Sequence, residues 1–237
     1  MIKAVLFDLD GTLLPMNQDL FLETYLKLLA KRLAPRGYDP ERLISAIWHG
    51  SEAMIKNNGE TTNEEVFWSA FSSVLGDNVR NDEPYFDEYY RTDFKSVQSV
   101  CGYTEQAKAT VEYVKSLGLT PILATNPVFP SIATQTRTLW AGISVDDFAY
   151  VSTYENSHYS KPNPKYFLEI TERCGLSPDE CLMVGNDVDD DMIARTLGMK
   201  VFLLTDCLIN KSGKDISSYP NGGFSELLKY IDKCLCD

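Results

Sequence analysis

Apolar residues recur along this chain with two different spacings. Residues 3–7 form a short apolar run that is typical of a buried strand. The following section, residues 16–97, carries apolar residues at every third or fourth position, as in Phe21, Tyr25, Leu29 and Leu33. That spacing places the apolar side chains on one face of a helix. The pattern therefore predicts one strand followed by a helical module.

Beyond residue 97 the pattern changes to apolar runs that alternate with helical stretches. Strands are predicted at 121–125, 148–153, 181–185 and 200–204, and helices at 104–118, 130–141, 164–175 and ending near Gly198. Strands that alternate with helices of this length indicate a parallel sheet covered by helices on both faces. The sequence thus predicts an α/β protein.

Composition and charge narrow the classes of function. The chain has 237 residues and a net charge of −12, from 22 basic and 34 acidic residues. Such a balance argues against nucleic acid or an anionic membrane as the main partner. No apolar run has membrane-spanning length, no signal-peptide pattern opens the chain, and the six cysteines show no CxxC pairing. We expect a cytoplasmic protein, and both a monomer and a homodimer remain open.

Unusual polar groups follow four of the apolar runs. In open α/β sheets, ligands bind outside the carboxyl ends of the strands, so these positions are candidate site residues. Taken singly, each group is typical of a turn, a solvated charge or a helix cap. Together, carboxylates from two strand ends could hold a hard divalent cation such as Mg²⁺, and a hydroxyl, an amide and an ammonium could hold an anion beside it. The groups are Asp8, Asp10, Gly11 and Thr12; Thr125 and Asn126; Lys161; and Asn186, Asp187, Asp189, Asp190 and Asp191.

The stretches DLDGT, TN, KPNP and GNDVDDD, in that order, resemble the four motifs of the haloacid dehalogenase (HAD) superfamily. The resemblance spans the chain and implies a Rossmann-like, three-layer α/β/α core with an inserted helical cap of the C1 type. It implies a core of residues 1–15 and 98–237 and a cap of residues 16–97. It also implies an Mg²⁺-dependent phosphatase acting on a small phosphorylated metabolite.

By this resemblance, Asp8 is the nucleophile that attacks phosphorus and forms an aspartyl-phosphate. Asp10 protonates the leaving oxygen and then acts as a base on water, and its backbone carbonyl contacts Mg²⁺. In the 2-haloacid dehalogenases of the superfamily, the position of Asp10 is not an acid, because a halide needs no proton. The second aspartate therefore favours phosphoryl chemistry over carbon–halogen cleavage.

The resemblance also implies a phosphate-binding set. Gly11 lets the chain turn beneath the phosphate and Thr12 helps to fix that turn. Thr125 and the backbone of Asn126 bind phosphoryl oxygens. Lys161 offsets the charge of the nucleophile and the phosphate, which gives it a catalytic role beside Thr125.

The fourth motif departs from the superfamily pattern, in which an aspartate directly follows the glycine. Here Asn186 takes that place. Either Asn186 is the metal ligand with Asp191 in support, or the turn shifts by one residue and Asp187 ligates. Asp189 and Asp190 are expected to be solvated.

The sequence does not identify the substrate. Two alternatives to a phosphatase remain: a phosphomutase of the same superfamily, and a non-catalytic protein that binds a ligand or a partner. The aromatic and acidic segment 81–94 is expected to pack its rings within the cap, although it could lie near the cleft. Lys56 and Arg91 could meet a second anionic group of a substrate, but no pattern selects one of them.

Overall fold

The protein is built on a parallel sheet of five strands with the order β2-β1-β3-β4-β5. The computed structural model describes residues 1–236. The strands are β1 (Ala4–Phe7), β2 (Thr120–Leu123), β3 (Cys181–Gly185), β4 (Lys200–Leu204) and β5 (Asn221–Gly222). The first strand therefore lies between β2 and β3, so the strand ends that carry polar groups are neighbours. The predicted α/β class is confirmed.

Both faces of the sheet are covered. Val5 and Phe7 of β1 pack into one apolar cluster, whereas Ala4 and Leu6 pack into a second. Because successive strand side chains point to opposite faces, the two clusters lie on the two sides of the sheet. Such a three-layer arrangement requires strands that are apolar throughout, and all four residues are fully buried.

A helical insert, α1 to α4, follows β1 in the sequence and precedes the other four strands. Its helices are α1 (Gln18–Leu33), α2 (Pro40–Ile55), α3 (Asn63–Leu75) and α4 (Glu83–Arg91), with 3₁₀ turns at Asp77–Asp82 and Asp93–Val100. Asn17, Asp39 and Thr62 cap the first three helices by accepting backbone N–H bonds. The boundaries of a separate cap remain a prediction.

The remaining helices cover the sheet: α5 (Glu105–Ser116), α6 (Ser131–Trp140), α7 (Pro164–Arg173) and α8 (Phe224–Cys236). The segment before Gly198, predicted as a helix, is a 3₁₀ helix, Met192–Leu197. Within residues 1–236, no helix combines the length and the apolar character needed to cross a bilayer.

The strand predicted at 148–153 is wrong in extent. Residues 149–152 run beside β2 through three backbone hydrogen bonds, but only Val151 forms a bridge, to Leu123 at the edge of the sheet. The chain turns away immediately afterwards, because the Asn156 amide accepts the Thr153 N–H at 2.9 Å and donates to the Val151 carbonyl at 2.9 Å. A side chain thus replaces the sheet as the hydrogen-bond partner of this backbone.

Asn63 ties the helical insert to the loops of the sheet. It is fully buried, and its Nδ2 donates to the Pro127 carbonyl and to Ser160 Oγ, both at 3.1 Å. Its Oδ1 accepts from Asn57 Nδ2 at 2.8 Å. One amide therefore joins the start of α3 to the loop after β2 and to the loop before α7.

Replacing Asn63 with alanine should destabilise the fold by about 1–3 kcal/mol, because buried partners lose their hydrogen bonds. Urea unfolding of Asn63→Ala measures this loss. The matched control is Asn58→Ala, since Asn58 is exposed and bonds only within its own turn; its effect should stay within about 0.5 kcal/mol. Equal losses in the two variants would contradict the tie.

Candidate active site

Asp8 stands at the carboxyl end of β1 with both carboxylate oxygens engaged. Lys161 Nζ donates to Oδ1 at 2.9 Å. The Thr12 hydroxyl lies 3.1 Å from Oδ2 and 2.9 Å from Asn186 Oδ1, so its single proton is shared between two acceptors. Asp8 is buried. These contacts fix the carboxylate in one orientation at the strand end.

Lys161 is a buried ammonium held between two carboxylates. Its Nζ lies 2.9 Å from Asp8 Oδ1 and 2.6 Å from Asp191 Oδ1. Burial alone would lower the pKa of Lys161, but Asp191 and Asp8 outweigh it and raise that pKa. Burial in turn raises the pKa of the Asp191 carboxyl, which Lys161 opposes. The Lys161–Pro162 peptide bond is cis.

The fourth motif folds into a turn directly after β3. Asp187 Oδ1 accepts the backbone N–H groups of Asp189 and Asp190, at 2.8 and 3.0 Å. Asp191 Oδ2 accepts the Asp187 N–H at 2.9 Å. Asn186 Nδ2 donates to the Cys207 carbonyl at 2.7 Å. Both ends of the Asn186 amide are thus engaged with the protein.

Asp10 forms an ion pair that sequence reasoning did not find. Its Oδ2 accepts from Arg137, a fully buried residue of α6 whose guanidinium lies 4.3 Å from the centre of the Phe129 ring. Asp10 Oδ1 is buried and has no hydrogen-bond partner among residues 1–236. Burial raises the pKa of Asp10, and the Arg137 charge opposes that shift. One feature of the sequence could have indicated this pair: Arg137 is a basic residue on the face of α6 that also carries Ala133 and Thr138 and is buried.

The second strand end is locked to the loop that carries Lys161. Ser152 Oγ and the Tyr166 hydroxyl both donate to the Thr125 carbonyl at 2.7 Å. The Asn126 side chain accepts the Lys161 N–H at 3.2 Å. The end of β2 and the loop that carries Lys161 are therefore positioned as one unit.

These groups open onto a single cavity of about 310 Å³. It runs from the strand ends into the helical insert. The predicted site residues that line it are Asp8, Asp10, Thr125, Asn126, Lys161, Asn186, Asp187 and Asp191, whereas Gly11 and Thr12 lie outside its lining. Asp190 also lines it and is half-buried, and burial raises the pKa of Asp190 to about 6, so Asp190 is less exposed to solvent than the sequence predicts.

Gly11 is required by its backbone. Its φ is +86°, in the left-handed region, and a Cβ at this position would collide with the Asn186 side chain. Gly185 serves a related purpose, because a Cβ there would occupy the place of the Asp191 carboxylate. Both glycines make room for the side chains of the fourth motif.

The covered parallel sheet and the carboxylates at its strand ends are the arrangement of an α/β protein that binds its ligand at the carboxyl edge of the sheet. Residues 2–198 match the family model of the haloacid dehalogenase-like hydrolases. The chain belongs to this HAD-like hydrolase family. The prediction that the chain is a hydrolase of the HAD superfamily is therefore confirmed.

Curated relatives include two phosphoglycolate phosphatases. That of Nitrosospira multiformis is 28% identical over 204 residues, covering 85% of this chain and 82% of the relative. That of Salmonella choleraesuis is 25% identical over 208 residues, covering 83% and 79%.

Solved structures show the same fold. The HAD phosphatase from Thermococcus onnurineus has a TM-score of 0.59 at 21% identity, covering 97% of this chain and 98% of that one. The 2-haloacid dehalogenase from Pseudomonas syringae has a TM-score of 0.61 at 21% identity, covering 98% and 99%. At such identities the likeness concerns the fold alone.

Gly11→Ala should destabilise the fold more than Gly37→Ala. The φ of Gly37, +89°, is nearly the same, but a Cβ at Gly37 would have no atom within 4 Å. Gly37→Ala should cost about 1–2 kcal/mol, from backbone strain alone. Gly11→Ala should add about 1–3 kcal/mol for the clash with Asn186. Urea unfolding of both variants gives the difference, and equal losses would contradict the close approach.

Proposed function

We propose that the protein is an Mg²⁺-dependent phosphatase that hydrolyses a small phosphate monoester through an aspartyl-phosphate on Asp8. The observation that carries the proposal is the meeting of Asp8, Asp10 and Lys161 at one end of one cavity. Its relatives support it, because two of them are phosphoglycolate phosphatases.

The chemistry divides between Asp8 and Asp10. A carboxylate oxygen of Asp8 attacks phosphorus, and the bond from phosphorus to the ester oxygen breaks as that oxygen takes a proton from Asp10. Water then attacks the aspartyl-phosphate and gives its proton to Asp10, which restores Asp8 and releases phosphate. The raised pKa of Asp10 favours the protonated form that the first step needs. Lys161 orients Asp8 and offsets the charge gathered around phosphorus.

The charge of the site supports a divalent cation. Asp8, Asp187, Asp190 and Asp191 line the floor of the cavity, while among residues 1–236 Lys161 is the only basic side chain that lines it. A phosphate anion would be repelled from that set without a further positive charge. Mg²⁺ fits, since it binds through one or two carboxylates and takes its other ligands from water and phosphate. No three of the described His, Cys, Asp and Glu side chains form a ready-made metal cluster.

Within this proposal, the Asp8 carboxylate and the Asp10 carbonyl hold Mg²⁺ together with a residue of the fourth motif. Bound there, Mg²⁺ would neutralise charge as phosphorus is transferred. Asp187 is favoured over Asn186 as the third ligand, because the Asn186 amide already accepts a hydrogen bond from Thr12 and donates one to the Cys207 carbonyl. Asp191, with its oxygens on Lys161 and a backbone N–H, then acts in support.

The helical insert, 16–97 in the sequence prediction, is proposed to act as the cap, since its helices supply most of the cavity wall away from the sheet. Gly11 and Thr12 are proposed to hold the phosphate turn, and Thr125 and Asn126 to bind phosphoryl oxygens. A cytoplasmic location and a monomeric or dimeric state stay predictions from the sequence.

Asp8→Asn should lower phosphate release by roughly 10³-fold or more, because an amide cannot serve as the nucleophile. The measurement is inorganic phosphate released from a panel of monoesters. The matched control is Asp189→Asn, since Asp189 pairs with Lys214 outside the cavity and should leave the rate near that of the wild type. Equal rates for Asp8→Asn and the wild type would overturn the assignment. Isomerised products with little free phosphate would indicate a phosphomutase.

Removing divalent cations with EDTA should abolish phosphate release, and adding Mg²⁺ should restore it, because the carboxylate-rich floor then accepts the phosphate. Titration calorimetry should detect Mg²⁺ binding to the wild type at millimolar concentrations and weaker binding to Asp187→Ala, with Asp189→Ala as the control. Absence of any binding would favour the non-catalytic alternative. Unchanged affinity in Asp187→Ala would return the ligand position to Asn186.

A further inference from the structure

The cavity changes character as it leaves the strand ends. Its floor is made of carboxylates and Lys161, whereas its walls are mostly apolar, with Gln18, Ser51 and Asp87 among their polar residues. Aromatic rings come from the helical insert and from the loops after β2 and near residue 154. The aromatic lining residues are Phe21, Tyr25, Trp48, Phe67, Trp68, Phe86, Tyr90, Phe129 and Tyr154.

Basic side chains line the cavity only at its floor, among the residues that the structure describes. Lys161 is the only basic side chain lining the cavity among residues 1–236, and Asp8 and Asp191 already engage it. The two basic residues considered from the sequence lie outside the lining: Lys56 pairs with Glu52 on the surface, and Arg91 is exposed. Within residues 1–236, no basic side chain lines the upper cavity as a partner for a second anionic group, since Arg137 lies behind the Phe129 ring and is paired with Asp10.

The charged side chain that the insert does contribute is an acid. Asp87 of α4 lines the cavity, next to Phe86 in the sequence. A carboxylate or a second phosphate on the substrate would leave water for apolar walls and would face this like charge. Both effects oppose binding. A neutral ring, in contrast, would gain contact with the aromatic walls.

The volume of the cavity points the same way. About 310 Å³ lies at the lower end of the range of pockets that take organic ligands, roughly 300–1,000 Å³. The phosphoryl group occupies the polar floor. The remaining volume is enclosed by apolar side chains and suits a group of about the size of one ring.

We infer that the substrate is a phosphate monoester whose alcohol carries an aromatic or similarly apolar group and no second negative charge. This inference rests on the proposed phosphatase function and specifies its substrate class. It separates the protein from its phosphoglycolate phosphatase relatives, because phosphoglycolate carries a carboxylate beside its phosphate.

Four phosphate esters of primary alcohols test the proposed substrate class. They are benzyl phosphate, ethyl phosphate, 4-carboxybenzyl phosphate and phosphoglycolate. The kcat/KM for benzyl phosphate should exceed that for ethyl phosphate by about 10- to 100-fold, through contact of the ring with the walls. It should exceed that for 4-carboxybenzyl phosphate and for phosphoglycolate by roughly tenfold or more.

A matched pair of variants tests the role of Asp87. Asp87→Asn removes the like charge and should narrow the ratio of kcat/KM between benzyl and 4-carboxybenzyl phosphate. Glu88→Gln is the control, since the neighbouring Glu88 pairs with Arg32 outside the cavity lining and its loss should leave the ratio unchanged. An equal change of the ratio in both variants would contradict a local effect of Asp87.

Different results would contradict the substrate class and the phosphatase function. Faster hydrolysis of phosphoglycolate or ethyl phosphate than of benzyl phosphate would overturn the substrate class and leave the phosphatase function intact. Absence of phosphate release from all four esters, with Mg²⁺ present, would count against the phosphatase function itself.

Discussion

The buried ammonium of Lys161 is the constraint on which the site depends. Asp8 and Asp191 come from different strand ends, and their charges would repel one another in a site from which water is excluded. Lys161 satisfies both and thereby fixes the loop before α7 against the ends of β1 and β3. Breaking such a pair leaves an uncompensated buried charge, which is far more costly than the pair is stabilising. Asp8, the proposed nucleophile, is therefore positioned by the same contacts that hold three segments of the chain together.

The cavity that begins at Lys161 has a charged end at the strand ends and an apolar end in the helical insert. The floor concentrates carboxylates that repel one another, and the proposed cation among them would let a chain with a net charge of −12 bind an anion. The walls bury aromatic rings and one acid, so they favour a neutral apolar group. The phosphate end is common to the proposed chemistry, whereas the walls decide which alcohol enters.

Much of the sheet and of its strand ends was predictable, because the parallel strands are apolar throughout and the polar residues follow them directly in the sequence. Contacts that join distant segments were not. Arg137 pairs with a residue 127 positions earlier, and no local pattern links the two. Asp190 stands in an acidic run that is typical of a solvated turn, yet the turn faces the cavity. The aromatic stripes of the insert look alike in sequence whether they fill a core or line a cavity, and several residues do both.

The fold is shared with a 2-haloacid dehalogenase, so it does not determine the reaction. The environment of Asp10 carries more information about the reaction than the fold does. One of its oxygens is held by a fully buried guanidinium, and the other is buried without a partner among the described residues. Burial favours the protonated carboxyl, and Arg137 keeps the carboxylate within reach once the proton has left. A carboxyl whose protonated form is favoured by burial suits the proposed role of proton donor to an ester oxygen, whereas departure of a halide needs no proton. The pairing of Asp10 with Arg137 thus argues for phosphoryl transfer independently of the four motifs.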